Sequence, residues 1–136
     1  MTNKETAKLV GRDVTGYVLS DDNETLRLSF RDGGTEELRT ESECCSITWI
    51  ESIDTPEYLN GVIQEIENID MPDRGNIATQ KRESVDEVKY YGLKITTDKG
   101  IAVIDYRNDS NGYYGGDLIL ATPSKSGNRL TKEDPC

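Results

Sequence analysis

The carboxylates are the side chains best placed to do chemistry in this sequence, because a long run of them goes unanswered by any base. Between Arg39 and Arg74 there is no Lys or Arg, while Glu41, Glu43, Glu51, Asp54, Glu57, Glu65, Glu67 and Asp70 all fall inside that interval. Residues 1–70 carry 16 acids against 6 bases, and residues 71–136 carry 10 of each, so the net charge of −10 belongs to the first half. A single-sign patch raises the local potential and steers a partner of opposite sign, with fast and salt-sensitive association. Glu43, Glu51, Asp54, Glu57, Glu65 and Glu67 are therefore the candidates for contact with a basic protein surface, centred on Glu51, Asp54 and Glu57. The competing reading is a solvated face that keeps a small protein dispersed. Direct nucleic-acid binding is disfavoured, since phosphate contacts need clustered cations and Lys81-Arg82 is a small cluster.

Tyrosines form the second constellation. Tyr113-Tyr114-Gly115-Gly116 follows Asn108-Asp109-Ser110-Asn111-Gly112, and Tyr90, Tyr91 and Tyr106 lie on flanking strand-like runs. Tyr91, Tyr106, Asn111, Tyr113 and Tyr114 are candidates to line a stacking pocket for a nucleotide-like ligand, with glycines allowing close approach. Tyrosines that simply cover a sheet face give the same pattern. The Asn108–Gly112 segment lacks the alternating acids and the closing Glu of a calcium loop and reads as a turn. Asp21, Asp22, Glu24 and Asp32 fit hairpin turns as well as they fit a divalent ion.

The chain has no histidine, which removes Ser–His–Asp and Cys–His catalysis, histidine-bearing zinc sites and the usual base near neutral pH. Cys44 and Cys45 are adjacent and Cys136 is far away, a poor disulfide framework, and they read as reduced thiols. No catalytic residue, metal ligand or cofactor is assigned. A carboxylate enzyme with a hard metal ranks last among the functional readings.

These residues must be positioned by a lean core: 34% of the chain is hydrophobic, with one Trp and one Phe against seven Tyr. Period-two patterning predicts strands at Val14–Leu19, Leu26–Phe30, Thr35–Thr40, Cys44–Ile53, Val85–Thr97, Ile101–Tyr106 and Asp117–Thr122. Asp32-Gly33-Gly34 and Asp98-Lys99-Gly100 are hairpin turns. Thr35–Thr40, with only Leu38 apolar, reads as an edge or surface strand, and Ile101–Tyr106, apolar on both faces, as a central one. Asp54-Thr55-Pro56-Glu57 is a helix-start signature stopped by Asn60-Gly61. Val62–Ile69 is ambiguous between helix and strand. The expected fold is mainly β (α+β): a single antiparallel sheet domain over residues 9–122 with one or two short helical turns. Residues 1–8 read as flexible, 70–84 as a long loop and 123–136 as a polar tail. No stretch has the ~20 apolar residues of a membrane span, no signal-peptide core follows Met1, and the cytoplasm is the expected location.

Two segments are similar to a family of uncharacterised domains found in phages, prophages and bacteria. The first runs Glu43-Cys44-Cys45, Ile47, Trp49-Ile50-Glu51-Ser52-Ile53, then Leu59-Asn60-Gly61. The second runs Tyr90-Tyr91-Gly92-Leu93-Lys94-Ile95-Thr96-Thr97-Asp98-Lys99-Gly100, then Ser110-Asn111-Gly112-Tyr113-Tyr114. The resemblance spans about residues 9–121, with Ser46 where the family usually carries a second acid. It implies a phage-linked origin and a strand at Val62–Ile69, and it carries no activity across. The function expected is a non-enzymatic protein engaging a basic host protein, for example one that handles nucleic acid in host defence.

Overall fold

The computed structural model describes residues 1–43, 46–72, 87–110 and 115–121. Cys44, Cys45, Asn111, Tyr113, Tyr114, Cys136, most of the 70–84 loop and the 123–136 tail lie outside the described residues. Eight strands follow a five-residue helical segment, α1 (Asn3–Ala7): β1 (Asp13–Leu19), β2 (Thr25–Phe30), β3 (Thr35–Ser42), β4 (Ile47–Asp54), β5 (Gly61–Asp70), β6 (Glu87–Thr97), β7 (Gly100–Ser110) and β8 (Gly116–Ala121). They make one open, wholly antiparallel sheet in the order β4-β7-β6-β5-β1-β2-β3-β8. The fold is mainly β.

Alternation explains why these runs are strands. On β2, buried Leu26, Leu28 and Phe30 are separated by Arg27 and Ser29, and they meet Leu38 of β3 and Val14 of β1. On the other half, Leu93 and Ile95 of β6 face the core with Ala102, Ile104 and Tyr106 of β7. Each buried Leu, Ile, Val or Phe side chain contributes about 1.5–3 kcal/mol by leaving water. The β2–β3 hairpin closes on Gly33 at φ 91°, a conformation glycine reaches without a Cβ penalty.

Two sequence expectations are corrected. β3 is internal, because β8 pairs along its free side from Glu37↔Ala121 to Ser42↔Gly116. That pairing joins residues about eighty positions apart, which local patterning does not reveal. Asn108–Ser110 is not a turn; it continues β7, opposite Ile47–Thr48 of β4 and Glu87–Lys89 of β6. The Asp54–Glu57 signature opens the short helical turn expected of it, a 3₁₀ turn over Pro56–Leu59 that ends ahead of Asn60-Gly61, although Thr55 makes no capping hydrogen bond. Val62–Ile69 lies on β5 as a strand, and β7 is central between β4 and β6.

The sheet rolls up so that its ends approach one another. Thr48 of β4 donates its hydroxyl to the Glu41 carbonyl at 3.1 Å and accepts from Ser42 Oγ at 2.8 Å and Asn108 Nδ2 at 2.9 Å. Each outer strand is met on its free side at one point. On β4, the Ile50 amide donates to the Asn23 carbonyl at 2.7 Å while Asn23 Nδ2 donates to the Ile50 carbonyl at 2.9 Å. On β8, the Leu120 amide donates to Glu5 Oε2 at 3.0 Å. The N-terminal residues, expected to be flexible, carry a capping box at Thr2 and Glu5 and bury Met1. The Met1 ammonium sits 3.1 Å from both Asp117 Oδ1 and Asn68 Oδ1.

Asn23 adopts φ 62°, a conformation Asn tolerates better than most residues, so side chain and backbone together seal β4. Asn23→Ala removes the Nδ2 bond and strains the turn, and should cost about 1–3 kcal/mol. Urea unfolding measures the loss, and light scattering should show faster self-association through the opened strand edge.

Candidate functional site

Charge is distributed unevenly over this frame. In the β1–β3 region the arginines are matched: Arg12 to Asp32 at 3.4 Å and Glu36 at 3.2 Å, Arg31 to Asp13 at 2.7 Å, and both Arg27 and Arg39 to Glu37 at 3.0 Å. Glu37 is held below the usual carboxylate range, chiefly by its bond from Arg27, with Arg39 adding to it. Those pairs engage all four arginines of residues 12–42, yet eight acids stand in the same stretch, so this region also keeps a negative surplus.

The six predicted partner-contact residues do not form one patch. Glu43 follows β3 and accepts the Gly115 amide at 2.7 Å. With Glu41, Ser42, Gly115, Gly116 and Asp117 it lines a cleft of about 480 Å³. Glu51 stands at the bulge of β4 and accepts the indole N–H of buried Trp49 at 2.9 Å, a structural task. Glu67 pairs with Lys94 across the β5–β6 ladder at 3.3 Å, a base from the second half of the chain crossing over to meet an acid of the first. Asp54, exposed Glu57 and exposed Glu65 lie toward the other end of the sheet, where β6 turns into β7, with Asp54 on β4 and Glu65 on β5 set apart by β7 and β6. Eight residues of β4 separate the two ends, roughly 25 Å at a strand's rise.

That second end is a built corner. Thr55 sits at φ 48°, ψ 56°, an outlier for a β-branched residue that costs on the order of 1–3 kcal/mol. Its hydroxyl reaches the Ile101 carbonyl at 2.6 Å, pinning the 3₁₀ turn to β7. Thr97 Oγ1 donates to the Tyr58 carbonyl at 2.6 Å, and the Val62 amide donates to Asp98 Oδ1 at 2.9 Å. Leu59 anchors the turn in the core, while Tyr58 is 38% and Ile101 46% exposed. A Cβ on Gly100 would lie 2.7 Å from Tyr58 Cγ and 2.9 Å from both Cδ atoms. Near-equal distances to these three atoms mean that the ring lies face-down on the glycine. The Tyr58 ring therefore lies on the Gly100 side of β7, the face of buried Ala102 and Ile104, whereas exposed Ile101 alternates to the opposite face.

Of the predicted ligand set, Tyr91 and Tyr106 stack at 5.1 Å between centroids and 19° between planes. Burial pushes the Tyr106 phenol well above the ordinary tyrosine range, and the Asp117 and Tyr91 charges add to it. Tyr91 meets the cleft through its hydroxyl, 3.4 Å from the Gly116 amide. The pair mainly packs the sheet. Asn111, Tyr113 and Tyr114 lie outside the described residues.

Sequence reading missed Thr55, Tyr58 and Ile101, and it missed the buried ion pair of Asp105 and Arg107 on β7. The signal for the pair was present: residues two apart on a strand share a face, so an acid and a base at that spacing can meet. Among the described residues no group of three or more His, Cys, Asp or Glu side chains is arranged to hold a metal ion, and no helix is long and apolar enough to cross a membrane.

Neither the curated proteins nor the solved structures contain a match to this chain. One family does match, over residues 7–120, and the chain belongs to it: the domain of unknown function DUF7448.

Proposed function

We propose that this chain is a non-enzymatic binding protein that docks its acidic corner on a basic surface of a partner protein. The observation that carries the reading is Thr55, a β-branched residue kept in a left-handed conformation by its bond to the Ile101 carbonyl. Strain of this kind persists where surrounding structure over-determines it, often at sites of function. Here it presents exposed Glu57 and Tyr58 in the turn that follows Asp54. In its finer form the protein is of phage or prophage type and its partner is a host protein with a Lys/Arg-lined groove, such as a nucleic-acid-handling defence factor.

Reversing Asp54, Glu57 and Glu65 to Lys together should abolish capture of the partner from host extract while leaving the melting temperature within a few degrees of the parent. Glu51 is kept out of this test because it holds Trp49. Capture by the reversed protein at parental strength would end the proposal. Partner affinity of the parent should fall as salt rises, since rim charges act through screened Coulomb attraction.

A second reading, a small-ligand site, is favoured by the cleft of about 480 Å³ at the paired end of β3 and start of β8. Its walls carry Glu41, Glu43 and Asp117, which repel phosphate, so a nucleotide fits them poorly. A thermal-shift series with nucleotides tests it, because a ligand of the native state raises stability by mass action.

A further inference from the structure

We propose that residues 15–19 of β1 are a docking edge for a second copy of this chain, joined to it strand to strand. β1 lies inside the strand order, yet its ladder with β5 is only two residues long, Asp13↔Val62 and Val14↔Gly61. Beyond Val14 it is paired on the β2 side alone. The Ser20 amide donates to the Thr25 carbonyl at 2.9 Å, and an antiparallel ladder alternates from pair to pair. Val18 therefore exchanges its bonds with Arg27, while Tyr17 and Leu19 aim their N–H and C=O groups away from β2. Among the described residues nothing pairs with those four groups. The side chains are open as well: Val18 is 64% and Tyr17 36% exposed, and no residue from Val14 to Ser20 is charged or a proline. Exposed edges are ordinarily protected by Lys, Pro or a bulge, and the one bulge here ends before Tyr17.

A second copy fits this edge better than an arbitrary strand, because the edge complements itself. A twofold axis through Val18 sets Tyr17 against Leu19 of the partner subunit, so the outward groups of each satisfy the other in four main-chain bonds. Tyr17 and Leu19 share the face of buried Leu28 and Leu26, which makes each cross-pair aromatic against aliphatic at the margin of the core. Val18 meets Val18 of the partner subunit on the other face. Charge selects this register: Asp21 falls opposite Thr15 and Asp22 opposite Val14, whereas an axis at Tyr17 would set Asp13 against Asp21.

Sedimentation velocity of the full chain, from low micromolar to near-millimolar concentration, should show reversible dimerisation. Each copy carries a net charge of −10, so the dimer should strengthen as salt rises, the reverse of docking on a basic partner. Val18→Lys sets two like charges face to face at the axis and should weaken the dimer about fivefold or more, whereas Val18→Thr should keep it. Val18 is exposed, so the melting temperature of dilute Val18→Lys should match that of the parent. Amide exchange in the parent decides the matter independently of any variant. Tyr17 and Leu19 should gain protection only as the dimer forms, while Val18, bonded to β2, should be protected at every concentration. A chain that stays monomeric at the highest concentration and salt would overturn the proposal. So would a dimer indifferent to Val18→Lys, or one in which Tyr17 and Leu19 exchange as fast as in the monomer.

Discussion

Asp105→Ala should destabilise the protein by about 3–5 kcal/mol, the cost of taking one partner from a buried ion pair. Asp105 is 1% and Arg107 2% exposed, and the guanidinium meets both carboxylate oxygens at 3.2 Å. The two side chains share the face of β7 turned away from Ala102, Ile104 and Tyr106, and Arg107 lies 4.8 Å above the Tyr90 ring. Truncating the acid leaves a buried guanidinium without its bidentate acceptor, and a charge in a dry site is costly. Urea denaturation of parent and variant measures the difference. Asp105→Asn should lose less, because the amide oxygen still accepts one N–H. The double substitution Asp105→Leu with Arg107→Met should recover most of the loss, since apolar replacement of a whole buried pair is often neutral. A loss below about 1 kcal/mol in Asp105→Ala would mean that the pair is solvated in solution.

Trp49→Ala should cost a similar 3–5 kcal/mol for a different reason. Trp49 is fully buried, pairs with Arg107 across the β4–β7 ladder, and donates its indole N–H to Glu51 at 2.9 Å. The alanine variant leaves a large void on an outer strand, where the wall relaxes only in part. Trp49→Phe separates the contributions: it keeps most of the ring contact and loses the bond to Glu51, and should cost about 1–2 kcal/mol. Equal losses in the two variants would show that the hydrogen bond, and not packing, dominates. The two sites touch, so their effects should not add.

The parts of the fold legible in the sequence were those written by local physics. Leu26, Leu28 and Phe30 announced their strand by alternation, and Gly33 its turn by conformational freedom. β7 was recognisable as central because apolar residues occupied both of its faces. What stayed hidden depended on contacts between distant residues. Leu38 alone could not reveal that β8 would cover β3, since that pairing is set by the roll of the whole sheet. The polar end of β7 read as a turn because Asn, Asp and Ser favour turns locally, yet its residues are buried in the ladder.

The candidate site was legible in the same partial way. The surplus of acid was plain, and Asp54 and Glu57 fell inside the eventual corner. A linear run says nothing of faces, however, so Glu43, Glu51 and Glu67 were grouped with them although the fold sets them to other tasks. Tyr58 escaped notice because its role comes from lying on Gly100, forty-two positions away. Thr55 escaped because its backbone angle departs from what its type prefers.

A basic partner is proposed to meet this protein at the 54–59 turn and the 98–101 hairpin. The most direct measurement is an amide chemical-shift titration of the labelled chain with an arginine-rich peptide at low and high salt. The largest shifts should fall at Thr55, Glu57, Tyr58, Gly100 and Ile101, shrink as salt rises, and vanish when Asp54, Glu57 and Glu65 are reversed to Lys. Shifts concentrated instead at Glu41, Glu43 and Asp117, with the corner silent, would contradict it and move the binding site to the opposite end of the sheet.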